Sequence, residues 1–152
     1  MNKYVIFKAG NEEYGVPLQD VVSIEKLTEI TPIPQMPDYV KGMIEIRDEL
    51  FPIVDLEYIF YHRYLDINEN ARFVVIQTNV LSLAVLVTEV KEIIEIASEK
   101  MKQIPLISTN KTAYISGVAS LEGGLVTLID PAQLVGSLDG INELQNYLQS
   151  HQ

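Results

Sequence analysis

Apolar residues in this chain come in short runs, separated by glycine, proline, asparagine and charged residues. That patterning predicts strands joined by turns rather than long helices. Residues 4–7 (Tyr-Val-Ile-Phe) have strand composition, and residues 8–12 form a turn in which Gly10 can supply a positive φ. Residues 14–18 are the return strand; Pro17 lacks a donor and belongs at a sheet edge or a strand end. Residues 19–24 read as a short turn or helix start with Val21 and Ile24 on one side. A second hairpin follows at residues 39–55, an apolar run, a polar turn and a second apolar run ending at Asp55.

Both hairpins are written twice. Residues 114–130 repeat residues 39–55 at a constant offset of 75, with Tyr39/Tyr114, Gly42/Gly117, Leu50/Leu125 and Asp55/Asp130 identical. Residues 73–93 repeat residues 4–24 at an offset of 69: Phe73-Val74-Val75-Ile76 answers Tyr4-Val5-Ile6-Phe7, Asn79 answers Gly10, Val90 answers Val21 and Ile93 answers Ile24. The second copy thus carries six extra residues, placed in the polar stretch at residues 98–112. Each half is two hairpins and a longer connection: residues 28–37, with Pro32, Pro34 and Pro37 favouring extended backbone, and residues 100–112. A half of four or five short strands curls to protect its edges, so the expectation is a mainly β protein of two small barrels. They form a single domain over residues 1–152, with lobes at about 1–70 and 71–136 that share a core.

Helices are few. Asp55 is the expected N-cap of a helix over residues 56–64, with Leu56, Ile59, Phe60 and Tyr64 on one face. Asp130 caps the equivalent helix, with Pro131 at its first position. A last helix is expected over residues 140–149, with Ile141, Leu144 and Leu148 inward and His151 and Gln152 frayed.

The 21 acidic against 11 basic residues give a net charge of −10, which repels nucleic-acid phosphate and anionic lipid. Without cysteine there is neither a disulfide nor a thiolate metal site, in keeping with a reducing cytoplasm. The N-terminus enters a strand pattern at once, and the longest apolar run, residues 83–87, is far below the ~20 residues needed to span a bilayer. An acidic, soluble cytoplasmic protein without direct membrane insertion is expected. Two histidines, His62 on a helix and His151 in the tail, make no metal cluster, and phosphate-binding and calcium loops are missing as patterns. Asp55 and Asp130 resemble a carboxylate pair, but their equivalence within the repeat favours two helix caps. No catalytic residue, metal or cofactor is expected. Leu18, Val21, Ile24, Val90 and Ile93 either fill the core between the halves or line a groove for a partner's helix. Ile33, Pro34 and Met36 either pack inward or form an apolar partner patch. A binding module remains by elimination. A hydrolase or small-molecule barrel would need a deep polar pocket with perturbed titrating groups.

The ordered runs Glu13-Tyr14-Gly15-Val16, Thr31-Pro32-Ile33-Pro34, residues 39–47 and Pro52-Ile53-Val54-Asp55-Leu56 resemble the CheW coupling-protein family of bacterial chemotaxis. The second half agrees at residues 85–93 and 114–118, so the resemblance spans about residues 3–136. It implies two SH3-like five-stranded barrels and a non-enzymatic adaptor, recruited to receptor arrays, between methyl-accepting receptors and the histidine kinase CheA. It further implies a receptor-tip groove at Leu18, Val21, Ile24, Arg47, Val90 and Ile93, and a surface for the CheA regulatory domain at Ile33, Pro34 and Met36. Two departures stand out. Asp48 replaces a turn glycine, and Ser23 occupies a position where many members carry a glutamate that pairs with the arginine at 47; Glu25 or Glu45 is the available substitute. A divergent module that has lost or changed one partner is the alternative.

Overall fold

The computed structural model describes residues 2–102 and 114–151. Its elements run β1 (Asn2–Ala9), β2 (Glu12–Pro17), a 3-10 turn (Leu18–Asp20), β3 (Val21–Lys26), β4 (Val40–Ile46), β5 (Glu49–Asp55) and α1 (Leu56–Tyr61). The second half follows with β6 (Arg72–Ile76), β7 (Leu83–Val87), β8 (Glu89–Ile96), a 3-10 turn (Ser98–Lys100), β9 (Met101–Lys102), β10 (Ile115–Leu121), β11 (Gly124–Ile129), α2 (Pro131–Ser137) and α3 (Ile141–His151). Most of the predicted second connection, residues 103–112, lies outside the described residues.

Two sheets form, in the orders β8-β1-β2-β11-β10-β9 and β3-β6-β7-β5-β4. The expectation that residues 1–70 and 71–136 each curl on themselves is corrected by this pairing. The first hairpin, β1–β2, joins β8 to β11, while β3, β4 and β5 join β6 and β7. The halves exchange hairpins through two equivalent parallel contacts, β2 with β11 and β5 with β7. The duplication itself is visible in the ladders. Residues 40–42 of β4 and 115–117 of β10 carry the same register shift, as do Val22 on β3 and Lys91 on β8. The bulges on the edge strands β3, β4 and β8 twist those edges and discourage pairing with another chain.

Exchange explains why residues 4–7 of β1, 73–76 of β6 and all of β7 are apolar without alternation: both faces are covered. Val5 and Phe7 of β1 point into a central cluster with Val74 and Ile76 of β6 and Val85 of β7. Their neighbours Phe73, Val75 and Ala84 fill one sheet with Phe51 and Ile53, and Tyr4 and Ile6 fill the other with Val126 and Leu128. The central cluster is the joint between the sheets, and α3 completes it with Ile141, Leu144 and Leu148, the predicted inward face.

Both caps form as expected. Asp55 and Asp130 share φ −91° and ψ 108° and accept from Tyr58 N and Gln133 N respectively. α1 ends three residues before the predicted Tyr64, because His62 adopts the left-handed conformation (φ 59°) that stops a helix. Tyr64 is consequently exposed and stacks on Tyr58 with ring centroids 4.8 Å apart. α3 runs on through His151, beyond the predicted end at 149. Residues 19–24 are split: the 3-10 turn ends at Asp20 and the rest is β3.

The two-residue loop between β4 and β5 places Arg47 (φ 50°) and Asp48 (φ 67°) both in the left-handed region, as a mirror-image hairpin turn requires. Aspartate tolerates that region better than most residues, but less well than glycine. Asp48→Gly is expected to stabilise the protein by about 1 kcal/mol, read as a higher urea midpoint at unchanged m-value.

Candidate functional site

The expected receptor groove resolves into a half-buried floor and exposed rims. Leu18, in the 3-10 turn, and Val21 and Val90, at the starts of β3 and β8, all pack partly buried against the central cluster. β3 and β8 are the corresponding edge strands of the two sheets. Ile24 is 37% and Ile93 52% exposed, so they do not join the floor. Val21 and Ile24 share one face of β3, opposite Ile76 and Val74 of the central cluster, because the bulge at Val22 offsets the strand alternation; Ile24 is the more exposed of the two. Val22, 51% exposed, belongs to the same strip of β3 and escaped the sequence reading. Its counterpart in the repeat is Lys91, so the duplication hid it; the alternation of β3 past the turn was the signal available. An open pocket of about 330 Å3 adjoins Leu18, lined also by Asn2, Lys3, Pro17 and Gln19.

Arg47 reaches β3 from the other edge of its sheet. Its Nη2 lies 3.8 Å from Glu25 Oε2 on β3. β3 and β4 are the first and last strands in their sheet order, so the contact shows a sheet curled until its edges approach. Glu25, two residues beyond Ser23 and thus on the same face of the strand, supplies the carboxylate that Ser23 lacks. The Ser23 hydroxyl is buried and has no hydrogen-bond partner among the described residues. The Arg47 side chain is 73% exposed, so its ion pair is worth less than about 1 kcal/mol and does little to hold the fold; Glu25 opposes Phe73, so the pair lies on the face of β3 away from Ile24.

The second candidate surface is the connection between β3 and β4. It is tied to β4 by paired backbone bonds, Thr31 N to Met43 O (3.0 Å) and Met43 N to Thr31 O (2.8 Å). Of its three candidate residues, Pro34 is exposed and Met36 half-buried, whereas Ile33 is 8% exposed and belongs to the central cluster. Ile33 therefore anchors the connection from beneath, and Pro34 and Met36 present it.

Between α1 and α2 lies an open cleft of about 540 Å3 lined by Tyr39, Tyr58, Phe60, Tyr114, Leu138 and Asp139, among others. Burial pushes the Tyr39 phenol up to about 12, with the carboxylates of Asp139 and Glu143 adding to the shift. Tyr14, hydrogen-bonded to Tyr61, and Tyr114 are also raised, chiefly by burial. These phenols stay protonated in the fold at a pH where unfolded tyrosines, near 10, already ionise. The unfolded state then binds fewer protons, so stability falls as pH rises from about 10 to 12. Urea titrations across that range should show the fall, and Tyr39→Phe should make it shallower.

Among the described residues no group of three or more His, Asp or Glu is placed to hold a metal ion, and no helix is long and apolar enough to cross a membrane.

Two exchanged sheets around one joint, with paired caps and bulges, define a duplicated β-sheet module. The chain belongs to the CheW-like domain family, whose model matches residues 3–139. It is 27% identical over 150 residues to the chemotaxis protein CheW of Klebsiella aerogenes, covering 98% of this chain and 90% of that protein. It is 28% identical over 138 residues to the chemotaxis protein CheW of Treponema pallidum, covering 88% and 81%. Its fold resembles the crystal structure of the scaffolding protein TtCheW from Thermoanaerobacter tengcongensis, with a TM-score of 0.81 at 26% identity over 91% of this chain and 94% of that one.

Proposed function

We propose that the protein is a chemotaxis coupling adaptor that holds a receptor tip and the regulatory domain of a CheA-type kinase on two separate surfaces. The observation that carries this reading is the separation of two accessible apolar surfaces on one rigid joint. One is the strip Val22, Ile24 and Ile93 on the bulged edge strands, over the floor of Leu18, Val21 and Val90. The other is Pro34 and Met36 on the proline-bearing connection. Exposed apolar side chains suit a helical receptor tip, which would lay an apolar stripe across the strip. A scaffold of this kind brings its partners together through binding alone, and array multivalency offsets weak individual contacts. As a coupling adaptor it would be recruited to receptor clusters at the membrane without inserting.

Calorimetric titration with a CheA regulatory domain tests the kinase surface. The expected result is saturable one-to-one binding in the micromolar range, lost on Pro34→Asp and kept in Ile93→Asp. Ile93→Asp should instead abolish binding to a receptor-tip peptide hairpin. Ile33→Asp is the wrong probe, since a carboxylate in the central cluster unfolds the protein. No binding by folded protein at high concentration sinks the kinase role. Loss of both partners with either substitution sinks the two-surface reading.

A further inference from the structure

We infer that α3 is the brace that shapes the kinase-facing connection, so that affinity for the kinase depends on the contacts of Tyr39, Pro37 and Gly140. This inference rests on the kinase surface proposed above. Three observations carry it.

The first is a hydrogen bond between remote parts of the chain: the Tyr39 hydroxyl, just past the connection, donates to the carbonyl of Asp139 at 2.8 Å. The second is close contact at the next residue. Gly140 has φ +82°, and a Cβ there would lie 2.6 Å from Pro37 Cγ, so only glycine lets the start of α3 approach the connection this closely. The third is a shared core. Ile33 is buried in the same cluster as Ile141, Leu144 and Leu148, and Met36 packs on it. Gln145 Nε2, one turn on from Ile141, fastens the helix to the carbonyl of Val80 at 2.7 Å.

The connection itself has little regular bonding. It is held at Thr31 by the bridge to Met43, and at Pro37 its carbonyl accepts from Val40 N (3.0 Å). Between these points Gln35 takes a left-handed conformation (φ 61°), and Pro34 and Met36 owe their placement to what lies under them. Undocking α3 removes that support, so binding a partner at Pro34 and Met36 and docking α3 stabilise each other. The exposed receptor strip on β3 and β8 takes no part in these contacts.

The test uses the whole chain carrying Tyr39→Phe or Gly140→Ala. Three readouts are needed: the dissociation constant for a CheA regulatory domain, that for a receptor-tip hairpin, and amide exchange at Val40 and Met43. Tyr39→Phe removes a single hydrogen bond and is expected to weaken the kinase about fivefold. Gly140→Ala is expected to weaken it at least about tenfold, with receptor affinity within about twofold in both variants and faster exchange at Val40. Should Gly140→Ala fail to fold, Tyr39→Phe carries the test. Unchanged kinase affinity in a folded Tyr39→Phe variant overturns the brace, as does an equal loss for both partners. If the wild-type protein does not bind the kinase domain, the proposed function fails instead. The brace is then judged by exchange alone, and unaltered exchange at Val40 in the variants overturns it.

Discussion

Replacing Asp55 with alanine is expected to cost about 3 kcal/mol, whereas the same change at Asp130 costs about 1 kcal/mol. The two aspartates have the same backbone angles and the same capping role. They differ in what else they hold. Asp55 is wholly buried, and its two carboxylate oxygens serve two donors, Tyr58 N at 3.1 Å and Leu65 N at 2.9 Å. Alanine would leave both N–H groups without their partner, and the segment after α1 would lose its tie to the core. Asp130 is partly exposed and, among the described residues, accepts from Gln133 N alone, at 3.3 Å, a bond that water can replace. Urea denaturation of the two variants measures the difference directly. Similar losses at both positions would show that the second hydrogen bond of Asp55 carries no weight.

Gly42→Ala is expected to be at least as damaging, at about 3–5 kcal/mol. Gly42 has φ +148°, and a Cβ would overlap the carbonyl oxygen of Thr31 and lie 2.8 Å from Ile30 Cγ2. The strain falls on the bridge between Thr31 and Met43, which ties the connection to β4. Among the described residues its repeat counterpart Gly117 meets Lys102 O, at 3.2 Å. Beyond stability, Gly42→Ala should weaken the kinase domain more than the receptor tip, because the connection is the part displaced. Equal unfolding midpoints for Gly42→Ala and wild type would contradict this packing.

The duplication was legible because it repeats residue types at fixed spacing, and it carried the hairpins and both caps with it. The exchange of hairpins was not legible. Two equivalent copies of β1–β2 and β6–β7 satisfy the same pattern whether they pair within or between halves, and only the tertiary arrangement distinguishes the two. The candidate residues divided for a similar reason. Leu18, Val21 and Val90 look like Ile24 and Ile93 in sequence; the bulges put Val21 with Ile24 and Val90 with Ile93 on one face, and only packing against the joint between the sheets separates floor from rim. Ile33 and Pro34 are neighbours in one proline-rich stretch. Burial of the first depends on a cluster that α3 completes more than 100 residues later. Asp55 was readable as a cap from Leu56 onward, but its bond to Leu65 N spans a helix end that His62 sets early. Arg47 pairs with Glu25, one of the two substitutes available for the missing glutamate, and the period of β3 puts Glu25 on the face of Ser23.

The central claim is that the two surfaces act at once. Co-sedimentation with receptor tips displayed on vesicles tests it most directly. The kinase should pellet with the vesicles only when this protein is present, and should stay in solution when either Pro34→Asp or Ile93→Asp is used. A kinase that pellets equally without the protein, or is displaced as receptor tips are added, would contradict a coupling role.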